Sequence, residues 1–192
     1  AVGYGVPDVR RGLVKKEEIE HHRPMGMQGY VYNTRRPLFA DPRVRRALAY
    51  AFDFEWTNQR LFFGSYTRSE SYFSNSELAA TGLPKDEELA LLEKHRGQIP
   101  EEVFTTPYSA PRTDGSGMAR DNLLTGLKML EEAGWKVRPE DGVMVDGTGQ
   151  PVVFEILLNN PAFERITGPF VRHLKRPGSE GQIRTVDTEQ HK

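Results

Sequence analysis

Asp41-Pro-Arg-Val-Arg-Arg-Ala-Leu-Ala-Tyr-Ala-Phe-Asp53 is the stretch whose reading decides the fold. Asp41 is a good helix N-cap, because its carboxylate can accept an orphan backbone N–H of the first turn. Pro42 suits the first helical position, where its missing N–H is not needed. Val44, Ala47, Leu48, Ala51 and Phe52 follow the i, i+3, i+4, i+7, i+8 rule, so one face is apolar. Trp56 continues that stripe, and Gly64 is placed to end the helix. Arg43, Arg46, Tyr50 and Asp53 fall on the opposite, polar face. A helix of this kind must bury its stripe against another element.

Upstream, Gln28-Gly-Tyr-Val-Tyr-Asn33 is rich in aromatic and β-branched residues and reads as a strand. Residues 1–24 are polar, with a short strand expected at Leu13–Ile19, and read as a connector. Downstream, 64–84 is a long polar and aromatic loop. A short acidic helix at Pro84–Arg96 places Leu89 and Leu92 inward. A second long loop, 97–117, carries Pro100, Pro107 and Pro111. Loops of this length are usually functional or packed against something.

From Met118 to Ala133 an amphipathic helix turns Leu123, Leu127 and Leu130 inward, with Gly134 at its end. Trp135–Val137 begins a strand, and Asp141-Gly142 and Asp146-Gly-Thr-Gly149 are hairpin turn signals. Val152–Leu158 is apolar apart from Glu155, the pattern of a central strand. Phe163, Ile166, Phe170 and Leu174 sit at helical spacing, with Pro169 expected to kink that helix. Gln182–Val186 is a last strand, and Asp187-Thr188 could cap a further helix. The strand–helix–strand unit 152–186 calls for a right-handed crossover. The order is an α/β (α+β) one, and a single mixed sheet flanked by helices is the economical solution.

The whole chain has 192 residues, with 26 Lys and Arg against 27 Asp and Glu, so the net charge is −1. That balance argues against a dedicated nucleic-acid binder. There is no cysteine, which excludes disulfides, thiolate catalysis and Cys-ligated metal for this piece. No apolar run approaches a membrane span, and the opening Ala-Val-Gly-Tyr-Gly has no signal-peptide pattern.

Motif chemistry is sparse. His21-His22 are adjacent, a poor spacing for chelating one ion, so no metal site is assigned. His95, His173 and His191 lie on polar segments and are expected to be solvated. Arg35, Arg36, Arg43, Arg45 and Arg46 read as a solvated face with ion pairs to Asp41, Asp53 and Glu55. Asp114-Gly-Ser-Gly117 and Asp146-Gly-Thr-Gly149 lack phosphate-loop or dinucleotide-loop spacing and are read as turns. No nucleophile setting or catalytic carboxylate pair is present, so no catalytic residue, cofactor or enzymatic activity is assigned. The loop holding Tyr66, Tyr72 and Phe73 reads either as a recognition surface or as a loop pinned to its own helix.

The chain also resembles a known family. Tyr30-Val-Tyr-Asn-Thr34, then Arg35-Arg-Pro-Leu-Phe-Ala-Asp41, then Pro42 to Asp53, resembles the extracellular solute-binding proteins of peptide-type ABC importers. Leu127-Lys-Met-Leu-Glu-Glu-Ala-Gly-Trp135, the Asp141-Gly142 turn, Gly149-Gln-Pro151 and the last two strands match that family in order. Gly26-Met-Gln-Gly29, Phe52-Asp-Phe-Glu-Trp56 and Asn75-Ser-Glu-Leu-Ala-Ala80 resemble its oligopeptide and microcin C branch. Lys175-Arg-Pro-Gly-Ser-Glu-Gly181 departs from it, since Pro177 and Ser179 stand where apolar residues are common.

The resemblance implies one lobe of a two-lobed periplasmic receptor that captures a peptide and hands it to an inner-membrane ABC permease. Residues 1–24 would be a hinge-proximal connector and 25–192 an incomplete C-terminal-type lobe, with the N-terminal lobe and export signal outside this sequence. The resemblance points to Met27, Gln28, Tyr30, Tyr32 and Asn33 as cleft-facing, although Tyr30, Tyr32 and Asn33 read equally well as structural. Tyr66 and Tyr72 complete the ligand-binding candidates. The alternative is a non-catalytic interaction or sensory module on a related lobe.

Overall fold

The structure, a computed structural model, describes residues 7–15, 17–187 and 189. In chain order the helices are α1 (Pro7–Arg10), α2 (Pro37–Ala40), α3 (Pro42–Ala49), α4 (Phe54–Phe62), α5 (Asp86–Glu93), α6 (Glu102–Thr105) and α7 (Arg120–Glu132). They are followed by β1 (Lys136–Val137), β2 (Met144–Val145), β3 (Val153–Leu158), α8 (Glu164–Lys175) and β4 (Glu180–Thr185). The described chain forms two compact units. One joins the residues up to Met27 with Ser69–Tyr108, and the other joins Gln28–Arg68 with the residues from Ser109 onward.

In the first unit, the Asn75 amide donates to the backbone oxygens of His21 and Arg23 at 2.8 and 3.0 Å, and the Met25 N–H donates to Ser74 O. These bonds hold the N-terminal segment to the serine-rich loop. The guanidinium of Arg96 pairs with Glu93 and Glu101 and lies 4.0 Å over the Phe104 ring. Leu13–Ile19 forms no strand among its described residues, and Leu13 and Ile19 are largely exposed. With both side chains open among the described residues, a ladder there would bury little.

The second unit holds the main core. Val44, Ala47 and Leu48 of α3 and Ala51 pack against Leu130 of α7. The helices approach closely because position 126 is glycine: a Cβ there would lie 2.8 Å from the Ala47 carbonyl oxygen. Met144, Val152, Phe154, Ile156, Leu158, Phe170 and Leu174 complete that core.

Two small sheets replace the single mixed sheet expected. β1 and β2 are antiparallel around the Asp141-Gly142 turn, and β3 and β4 are parallel, joined through α8. β3 is one-sided: Phe154, Ile156 and Leu158 are buried, while Val153, Glu155 and Leu157 face outward. Its apolar run comes from Val153 and Leu157 on the open face, not from burial on both faces. Asp187-Thr188 falls partly outside the described residues, and the further helix it could cap is not described.

The decisive helix is two helices. α3 ends at Ala49, and Asp53 caps α4, accepting the Trp56 N–H at 2.9 Å. At the end of α4, Phe63 takes the left-handed conformation one residue before Gly64. Pro169 lies inside α8 without ending it.

Ser179, which follows α8, is 2% exposed, and its hydroxyl has no hydrogen-bond partner among the described residues. It lines a small apolar cavity with Ala47, Leu48, Leu130, Leu174 and Pro177. A buried hydroxyl without a partner costs about 1 kcal/mol or more. Ser179→Ala is therefore expected to raise stability by about 1 kcal/mol in urea unfolding. A loss of stability would mean that a water in the cavity bonds the hydroxyl.

Candidate functional site

Gln28–Asn33 forms no ladder among the described residues. Its alternation is real, but it serves ring packing instead of strand pairing. Tyr30 stacks on Phe170 with centroids 4.8 Å apart and meets Phe52 edge-on at 5.9 Å. Its hydroxyl donates to the buried Thr167 Oγ1 at 3.0 Å. Tyr32 packs on Phe39 at 5.2 Å. Val31, between them, is 96% exposed. Gln28 and Asn33 are exposed too, and Asn33 Oδ1 accepts the Arg35 N–H at 3.2 Å. The two tyrosines thus anchor the segment, and its outward side carries Gln28, Val31 and Asn33.

Burial pushes both phenols above the ordinary tyrosine value, with the Thr167 bond partly offsetting this for Tyr30 and the neighbouring Tyr30 adding to it for Tyr32. The folded state prefers both rings neutral. That contribution is fully present below a pH of about 10 and is lost as the pH rises further. In an alkaline titration Tyr30 and Tyr32 are expected to ionise late, together with unfolding. Phenolate absorbance read beside circular dichroism checks this, and Tyr30→Phe with Tyr32→Phe should remove the late step.

Tyr66 is pinned to its own helix. Asn58 on α4 accepts the Tyr66 N–H at 3.0 Å and donates to its carbonyl at 2.7 Å, and the Tyr66 ring lies edge-on to Phe62. The ring still leaves most of its surface open. Arg68 follows, its guanidinium over Phe52 and Phe54 and one nitrogen donating to Pro111 O at 3.1 Å. Met27 and Tyr72 belong to the first unit, and both are exposed. Gln28, Tyr30, Tyr32, Asn33 and Tyr66 belong to the second.

Sequence reasoning missed a polar node in the second unit. Asp53, expected on a solvated face, is 3% exposed. Its carboxylate caps α4, accepts the Thr113 hydroxyl and accepts the Gly117 N–H at 3.1 Å. Glu55 accepts the Thr113 N–H at 3.0 Å. Asp53 and Glu55 therefore hold the loop at 113–117. Arg43 does pair with Asp41, holding that carboxyl below the usual range chiefly through their side-chain hydrogen bonds. Arg45 donates to the carbonyls of Phe39 and Ala40.

His173, expected to be solvated, is buried between the α3–α4 junction and the same loop. Its neighbours Phe170 and Leu174 were the available signal, since they put position 173 on the inner face of α8. Among the described residues no group of three or more His, Asp or Glu is placed to hold a metal, and no helix is long and apolar enough to cross a membrane.

Comparison with known proteins fits this arrangement. The model for the middle part of the bacterial extracellular solute-binding proteins of family 5 matches residues 7–192. A protein of Agrobacterium fabrum named as a probable peptide-binding protein, YejA, is 43% identical over 98% of this chain and 31% of its own length. A second protein of that organism, named peptidoglycan-binding protein YepA, is 42% identical over 98% of the chain and 30% of its own. The chain spans about a third of the length of these relatives.

Among solved structures, a periplasmic oligopeptide-binding protein of Thermotoga maritima superposes with a TM-score of 0.59 at 20% identity, over 97% of this chain and 31% of that one. The oligopeptide-binding protein AppA of Bacillus subtilis, solved with a nonapeptide, gives 0.58 at 21% identity, over 83% and 26%. These likenesses place the fold among the periplasmic binding proteins.

Proposed function

Because the chain belongs to the bacterial extracellular solute-binding proteins of family 5, we propose that it forms part of the peptide-capturing component of an ABC importer in the cell envelope. Proteins of this family bind solutes and are not enzymes. The observation that carries the reading is the 43% identity, over nearly the whole chain, with a relative named as peptide-binding. Peptide receptors hold an extended ligand by its backbone and leave roomy pockets for its side chains. Closure of two lobes then buries it. In this reading the chain supplies part of one lobe, the periplasm is its compartment, and an inner-membrane permease is its partner.

The ligand contacts proposed are the exposed candidates. In the second unit Gln28 and Asn33 offer amides to a peptide backbone and Tyr66 offers apolar area; in the first unit, taken by itself, Met27 and Tyr72 offer apolar area. Tyr30 and Tyr32 act from behind, fixing the segment on which Gln28 and Asn33 stand. A second ligand class is favoured by the name of another relative, peptidoglycan-binding protein YepA: peptidoglycan and its peptide-bearing fragments.

Isothermal titration of the whole protein against mixed short linear peptides and, separately, against peptidoglycan fragments tests both. Saturable binding of one set is expected and identifies the class. Binding of neither would overturn the proposal. Retention of a permease by the ligand-free protein in that case would favour an interaction module instead.

A further inference from the structure

His173 lies near the end of α8, 5% exposed, with each ring nitrogen facing a backbone carbonyl. Nδ1 is 2.9 Å from Ala51 O, and Nε2 is 2.9 Å from Gly117 O. Both partners are acceptors and neither can donate. A neutral imidazole carries hydrogen on one nitrogen and a lone pair on the other. It would satisfy one carbonyl and set a lone pair against the oxygen of the second at contact distance. Turning the ring over puts carbon at both positions and satisfies neither. Only the doubly protonated ring donates twice.

We infer that His173 works as a buried imidazolium clamp that ties the α3–α4 junction to the loop at 113–118 with two bonds, one of which a neutral ring would lack.

Burying a cation is costly unless polar partners and an opposite charge compensate. The two carbonyls are the partners. The opposite charge stands on the junction itself, where the Asp53 carboxylate accepts the Gly117 N–H at 3.1 Å. Gly117 is thus held on both sides, its N–H by an anion and its carbonyl by a cation. The remaining titratable and charged groups on the elements that meet His173 are more open to solvent. They are Tyr50 and Glu55 at the junction, Asp114 on the loop, Glu180 and Arg184 on β4, and Glu164, Arg165, Arg172, Lys175 and Arg176 on α8 itself. Arg176 donates to Met118 O at 2.6 Å, a second tie from α8 to the same loop. The direction follows. The clamp is complete at low pH. The doubly protonated ring makes both bonds and a neutral ring makes one, while the Arg176 tie is independent of the ring.

The test needs no variant. Long-range proton–nitrogen spectra of the whole protein, from a pH of about 5.5 to about 9, report the two ring nitrogens of His173 directly. Amide exchange at Gly117, corrected for its intrinsic pH dependence, is read in the same samples. At the acid end both nitrogens are expected to show the imidazolium pattern. As the ring deprotonates, Gly117 protection is expected to fall about tenfold with the same midpoint. His173→Gln should abolish that pH dependence. A neutral ring throughout the range, or Gly117 exchange that does not follow the ring, would overturn the inference.

Discussion

Asp53→Ala is expected to cost about 3 kcal/mol in urea unfolding. One carboxylate does three things: it caps α4 at the Trp56 N–H, takes the Thr113 hydroxyl and takes the Gly117 N–H. The cap alone contributes about 1 kcal/mol. The Gly117 N–H left without a partner adds about another, and the Thr113 hydroxyl, which keeps only its Glu55 bond, adds the remainder. Trp56 fluorescence should report the loss directly, because the cap bond is made to that residue's own amide. Asp53→Asn separates the parts. Its remaining oxygen can still cap the helix, but its amide group, if turned to Gly117, sets a donor against a donor. A loss of about 2 kcal/mol is expected there. If both variants were as stable as the parent, Asp53 would be a surface residue after all.

Gly178→Ala is expected to be at least as damaging, at about 3 kcal/mol. Two independent penalties meet at this position. Its φ of +84° lies in the left-handed region, where a Cβ costs roughly 1–2 kcal/mol. The added Cβ would also lie 2.3 Å from Gly142 O and 2.7 Å from Met144 N, both backbone atoms. The turn after α8 and the β1–β2 hairpin would have to part, breaking the bond from the Met144 N–H to Gly178 O. Gly149→Ala is the control, with φ +85° and nothing within 4 Å of the added carbon. It should lose only the conformational part, roughly 1–2 kcal/mol. Equal losses at the two positions would show that the hairpin yields freely.

The contrast between what could and could not be read from the sequence is physical. The start of α3 was legible from the Asp41 cap and Pro42, and the body of α7 and the β3–α8–β4 unit from their periodicity. The break after Ala49 was not. The apolar stripe from Val44 continues through Trp56 at one period, and that concealed the new start that Asp53 caps. Gln28–Asn33 misled for a related reason: period-2 aromatics look the same whether they pair with a strand or, as here, stack on Phe170 and Phe39. His173 was judged by its charged neighbours in the chain. Position on the helix governs instead, and Phe170 and Leu174 mark the buried side. Met27, Gln28, Tyr30, Tyr32 and Asn33 became candidates through the family resemblance, and the functional reading came from the ordered family motifs, not from any constellation of reactive groups.

Capture of a peptide without chemical change is the claim on which the functional reading stands. Mass spectrometry of the whole protein incubated with a defined peptide mixture tests it most directly, by reading the complex under native conditions and then the released peptide after denaturation. The prediction is a complex of one protein with one peptide, which is released intact. A protein that retains no peptide, or that returns the peptide cleaved, would contradict it.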